Sequence, residues 1–121
     1  MSVTTFARGA IRDDFLTFLV ATITHLAVGD DDTAPTEGDT TLGNETFREA
    51  TISSSVTLQG ASFQIFMDTT ENNGNDIKEI GSFDDPTTGN MYTRDLTNVI
   101  VKTVNIEVFA EVLIDEEVVN L

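Results

Sequence analysis

The groups able to do chemistry in this 121-residue chain are nearly all carboxylates: 21 Asp and Glu stand against six Lys and Arg, one His and no Cys. Carboxylates can hold hard cations, move protons or pair with guanidinium groups, and their spacing decides between these uses. Asp30, Asp31 and Asp32 are consecutive. Adjacent side chains on an extended chain point apart, so the triplet predicts a solvated turn, with Asp30 and Asp32 as candidate cation ligands that do not converge. The stretch Asp68 to Glu79 (DTTENNGNDIKE) places Asp68, Thr70, Asn72, Asp76 and Glu79 at positions 1, 3, 5, 9 and 12 of an EF-hand loop. The glycine that such a loop needs at position 6 is replaced by Asn73, and Gly74 comes one residue late. Position 8, normally apolar, is Asn75, and the flanks alternate like strands. A polar hairpin loop is therefore expected, with Asp68 and Asp76 as further candidate ligands and no firm metal or cofactor site.

Catalytic constellations are missing. His25 sits in an alternating stretch without a Ser or Asp spaced to work with it. Acid pairs are plentiful because acids are plentiful, so none is singled out as a hydrolytic dyad. There is no glycine loop of the phosphate-cradling kind. The chain is expected not to be an enzyme. Two acid–base pairs invite a structural role instead: Glu45 with Arg48, three residues apart, and Glu79 with Arg94, which flank a DDPTTG turn. Bidentate carboxylate–guanidinium geometry can fix strand register.

The elements that would position these groups are mostly strands. Residues 1–8 carry little pattern and read as an N-terminal arm. In 9–20, Ile11, Phe15, Phe18 and Leu19 fall on one helical face, widened by Leu16 and Val20, with Asp13 and Asp14 near the start. The sequence TITHLAV (22–28) then reads as a strand, followed by an acidic loop of about fifteen residues over 29–43. From Phe47 to Gln59, Ile52, Ser54, Val56 and Leu58 alternate with Thr and Ser, predicting a half-buried strand. Phe63, Ile65 and Met67 repeat the pattern after Gly60, which predicts a hairpin. Strands are expected over 76–83 and 91–96, joined by the turn DDPTTGN. A last strand from Val104 to Asp115 would run about 40 Å, with Phe109 and Leu113 on its otherwise polar face. Residues 116–121 form an acidic end. The expected fold is mainly β: an antiparallel β-sandwich-like single domain over 9–115, with one N-terminal helix and long loops.

Charge bounds the partners. A net charge of −15 repels nucleic-acid phosphates and anionic membrane surfaces. Lysine is scarce, two residues against four Arg, and the acids are spread along the chain rather than gathered in a tail. Two readings fit: an acidic protein of an ordinary host, or, favoured by lysine scarcity together with the acid excess, a surface adapted to high salt, where self-repulsion is screened. Hydrophobic residues make up 40% of the chain, enough for one core, and no apolar run is long enough to cross a bilayer.

The order of these features resembles small structural proteins of tailed viruses. The segment from Ala27 to Arg48 reads AVG, an acidic turn, TAP, then T-x-L-G-N-E with an Arg three residues on. Downstream come I-x-E-I-G-x-F (Ile77 to Phe83), a turn at Thr87, Thr88 and Gly89, and a strand carrying Arg94. The likeness spans most of residues 23–114. Asp30 to Asp32 stand where glycine and small residues are more usual, in keeping with salt adaptation. The resemblance implies a tail-fibre, collar or baseplate component that works by assembling into a ring or trimer, and it offers no catalytic residues. With the acidic surface it implies a halophilic host, plausibly haloarchaeal. The expected partners are identical copies and other virion proteins, with contact to the host surface compatible with such a position. Assembly would take place in the host cytoplasm and the protein would reside in the virion. Phe15, Phe18, Phe109 and Leu113 are the expected interface residues. Two alternatives are a capsid turret or decoration protein, and a calcium-assisted carbohydrate-binding or adhesion module. The latter calls for exposed aromatics, and the chain has no Trp and a single Tyr, Tyr92.

Overall fold

The structure, a computed structural model, describes residues 4–115. The order of elements is α1 (Thr5–Thr22), β1 (His25–Gly29), β2 (Glu45–Ala50), β3 (Ser53–Thr57), β4 (Gly60–Met67), β5 (Asp76–Phe83), β6 (Met91–Val101) and β7 (Val108–Asp115). Two antiparallel sheets form an open sandwich: four strands in the order β2-β1-β5-β6, and three in the order β3-β4-β7. This is the mainly β, sandwich-like fold with one N-terminal helix that the patterning predicts. The acidic end over 116–121 lies outside the described residues, as do residues 1–3 of the expected arm.

The rest of that arm is helix. Thr4 caps α1 by accepting a hydrogen bond from the Ala7 amide at 3.2 Å, which satisfies one of the free N–H groups of the first turn. The helix buries Leu16, Leu19 and, just past its end, Ile23, with Phe15 and Val20 packed alongside. The expected stripe is thus rotated: Ile11 and Phe18 face outward. Arg12 accounts for the rotation. Its guanidinium donates to the carbonyls of Thr57 and Leu58 at 3.2 and 3.0 Å, which turns the 12-16-19-23 line toward the sheet.

Between the sheets, Leu26 and Val28 of β1, Ile77 and Ile80 of β5, Ala61, Phe63, Ile65 and Met67 of β4, and Val108, Val112 and Ile114 of β7 share one core with α1. Strict alternation along β4 delivers its four residues to that core. The stretch from Phe47 to Gln59 is not one half-buried strand. The chain changes sheets at Thr51 and Ile52, so β2 and β3 belong to different layers. β3 is the outermost strand of its sheet, and Ile52, Val56 and Leu58 remain exposed because the core ends at β4 and α1. The β3–β4 hairpin itself is present, with Val56 opposite Ala61.

The expected 12-residue final strand is also shorter. β7 starts at Val108 because the preceding residues are used in a turn. Lys102 and Asn75 pair through their backbones, the Gly74 amide donates to the Lys102 carbonyl, and Ile106 donates back to Thr103. The loop over 68–75 links β4 to β5, which lie in different sheets, so it is a crossover rather than a hairpin.

Candidate functional site

The most heavily built region lies on the outer face of the four-stranded sheet, under the loop over 30–44. A small apolar cluster of Ala27, Leu42 and Phe83, with Met91 beside it, seats that loop. At its centre is Glu79, a fully buried carboxylate on β5. Its Oε1 accepts from the Gly43 amide at 2.8 Å and from Arg94 Nε at 2.9 Å. Its Oε2 accepts from the amides of Asn44 and Asp31 at 2.9 and 3.1 Å. Three backbone N–H groups from the two ends of one loop therefore converge on a single side chain. Burial pushes the Glu79 carboxyl up. The amides of Asn44 and Gly43, then Arg94 and the Asp31 amide, outweigh it and hold the group below its ordinary value of 4.5.

Arg94, on β6, reaches Glu79 across the strand pair and extends to Asp39 Oδ2 at 3.2 Å. Asp39 in turn closes the loop's own turn by accepting from the Thr36 amide and hydroxyl, both at 3.0 Å. The pair named from sequence is thus one half of a clamp whose other half is backbone. Gly29 is required here by close approach: a Cβ on it would collide with the Asn44 carbonyl and with Glu79 Oε2.

A second hub stands beside the first. Arg48 of β2 forms a fork with Glu45, Nε to Oε2 at 3.1 Å and Nη2 to Oε1 at 2.7 Å. Its Nη1 donates to the carbonyls of Asp85 and Thr88, each at 2.8 Å, and its guanidinium lies 3.7 Å from the Phe83 ring centre. The turn it holds is pinned by its own acids. Asp85 accepts from the amides of Thr88 and Thr87, and Asp84 from the Asn90 amide and the Tyr92 hydroxyl. Gly89 adopts φ of 82° to complete that turn. The second hub lines an open groove of about 380 Å³ that includes Thr41, Leu42, Arg48, Phe83 and Thr88.

The candidate cation ligands are not brought together. Asp30 accepts from Asn44 Nδ2 at 2.6 Å, Asp68 holds the Thr70 amide and hydroxyl, Asp32 is exposed, and Asp76 opens β5 opposite Val101. Among the described residues no group of three or more His, Cys, Asp or Glu is arranged to hold a metal. Within the EF-hand-like stretch, Asn72 (φ 55°) and Gly74 (φ 85°) take the left-handed positions, and the Lys102 ammonium donates to Asn73 Oδ1 at 2.8 Å. His25 opens β1 with its Nδ1 2.8 Å from Thr24 Oγ1.

One carboxylate is poorly housed. Glu49 of β2 has Oε2 buried without a hydrogen-bond partner. Burial first, then the nearby charges of Glu71 and Asp68, raise its pKa above 4.5. A raised carboxyl costs stability once pH exceeds its unfolded value. Glu49→Gln is therefore expected to raise the melting temperature by a few degrees at neutral pH and to have no such effect near pH 4. Equal melting of the two proteins at both pH values would refute this.

The expected interface residues separate into three places. Phe15 packs into the core, and Phe18 lies on the outer side of α1 against Tyr92, ring centres 6.5 Å apart. Phe109 and Leu113 share the outer face of β7, 70% and 45% exposed, and Phe109 leans on Phe66 with ring centres 4.8 Å apart. Sequence reasoning missed the buried amine of Lys102 and the exposed apolar half of β6, Leu96 to Val101. A usable signal for the latter was present: LTNVIVKTVNI (96–106) has no acid in a chain that has 21.

These observations define an antiparallel, sandwich-like β protein in which Glu79 with Arg94, and Arg48, each clamp a loop to the four-stranded sheet. No protein-family model matches the chain, and no curated protein is similar to it in sequence.

Proposed function

We propose that this chain is a virion structural protein that self-assembles into a symmetric ring or trimer in the tail, baseplate or fibre base of a tailed virus of a halophilic host. A turret or decoration position on the capsid of the same particle is the alternative placement. The observation that carries the reading is the outer face of the three-stranded sheet, where Phe109 and Leu113 remain exposed beside Phe66. Large apolar side chains grouped on a strand face mark contact surfaces. The order of motifs from Ala27 to Arg94 adds support, because Gly29, Gly43, Glu45, Arg48, Glu79, Gly81 and Arg94 all fall in or around the loop clamps. An assembly subunit needs loops of fixed shape more than it needs mobile ones. The charge of −15 supports a high-salt setting, since screening is what lets such copies approach one another.

Solution mass by light scattering, in molar KCl and after dialysis to low salt, tests this reading. A discrete oligomer in KCl that dissociates or unfolds on dilution is expected. A compact monomer at both salt concentrations would overturn it. Calcium titration would then be the next measurement, for the carbohydrate-binding alternative.

A further inference from the structure

The second half of β6 is built as an unfinished edge. β6 is the outermost strand of its sheet, so among the described residues one side of its backbone has no neighbouring strand. The sheets approach each other along β1 with β4 and along β5 with β7. A four-on-three arrangement paired in this way gives β6 no strand of its own to face. The helix meets its first half through Phe18 on Tyr92. Beyond Asp95, Val99 and Ile100 are adjacent and so point to opposite faces, yet they are 60% and 36% exposed. Leu96, Val101 and, in the following turn, Val104 and Ile106 are exposed as well. Together these side chains offer apolar surface on the order of several hundred Å², the size at which a patch marks an interaction site and a large part of the roughly 800 Å² that one side of a stable contact buries.

Charge says what fits there. A basic partner would be drawn to the faces that carry acids. A second copy of this chain is repelled by the acidic faces, whereas the segment from Leu96 to Ile106 carries no carboxylate of its own; Asp76 lies opposite Val101, and Asp95 and Glu107 stand at its two ends. Open edges are commonly blunted by a lysine. Lys102, the lysine within this segment, is instead turned inward, its ammonium held by Asn73 Oδ1 and the Thr103 carbonyl at 2.8 and 3.1 Å.

We propose that the open edge of β6 and the turn after it, Leu96 to Ile106, is where a second copy docks, adding a strand to the four-stranded sheet. The inference rests on the assembly reading above and names the contact, on a surface separate from Phe109 and Leu113. Val99→Lys tests it, because Val99 lies at the register shift opposite Ile77 and Glu79 and its exposure leaves the monomer fold intact. Val104→Lys, in the turn, is the second variant. In molar KCl, each lysine is expected to weaken self-association by about 100-fold or more, read by sedimentation across a concentration series, with the melting curve of the diluted protein unchanged. An oligomer that survives both substitutions with unchanged affinity overturns the β6 contact and leaves the assembly reading standing. A wild-type chain that is monomeric at every salt concentration overturns both.

Discussion

Replacing Glu79 by Ala is expected to lower stability by about 3–5 kcal/mol, the cost of breaking a buried ion pair by removing one partner. For a domain of this size that corresponds to a fall in melting temperature of about 10–20 °C. The loss has three parts. The Gly43, Asn44 and Asp31 amides lose their acceptor, Arg94 is left with Asp39 alone, and the loop over 30–44 loses the point that ties both its ends to β5. Glu79→Gln keeps the shape and one acceptor oxygen, so it should lose less. Arg94→Lys should also be costly, since a single ammonium cannot reproduce the Nε contact to Glu79 and the Nη1 contact to Asp39 together. Thermal unfolding in molar KCl at neutral pH measures all three. Glu79→Ala melting within two degrees of the wild type would show that the clamp contributes nothing.

The same residue predicts acid sensitivity. A carboxylate held below 4.5 in the folded state adds stability that is complete above pH 4.5 and is lost as pH falls through the lower folded value. Asp31, Asp39, Asp68, Asp84 and Asp85 are held below their ordinary 3.8, chiefly by hydrogen bonds from neighbouring amides and hydroxyls. All of these contributions vanish in the same direction. Wild-type melting temperature should therefore drop steeply below pH 4.5, and Glu79→Gln should show a shallower acid limb.

Arg48→Ala is the second large effect, expected at about 2–4 kcal/mol from two unpaired turn carbonyls and a lost cation–π contact. The fork to Glu45 adds little, because Glu45 is one-third exposed. What matters is that one guanidinium serves the Asp85 and Thr88 carbonyls and covers Phe83 at the same time. Arg48→Lys keeps the charge but not that planar reach, so most of the loss should persist. Hydrogen exchange over residues 84–90 should accelerate in both variants. Wild-type stability in Arg48→Lys would show that charge alone is sufficient there.

Much of this was readable in advance for physical reasons. The β5–β6 turn was legible because Pro and Gly restrict backbone angles locally. The alternation in β4 was legible because a strand that is buried on one face must alternate. The Glu79–Arg94 pair was legible because the two residues flank one hairpin, and a hairpin brings such flanks together. Other features depended on distant partners. Which side of α1 is buried followed from Arg12 meeting the carbonyls of Thr57 and Leu58, 45 and 46 residues away. That β3 alternates without being buried followed from its place at the edge of its sheet, which no periodicity encodes.

By itself, then, the amino-acid order determined the strand-rich class, the turns, the acidic character and the pairing of Glu79 with Arg94, all set by neighbours along the chain or across one hairpin. Only the tertiary structure decided that three loop amides share the Glu79 carboxylate, that Arg48 of β2 holds the β5–β6 turn, and that β6 is left open. Those outcomes depend on how four strands stack on three, a long-range packing result that local sequence pattern does not carry.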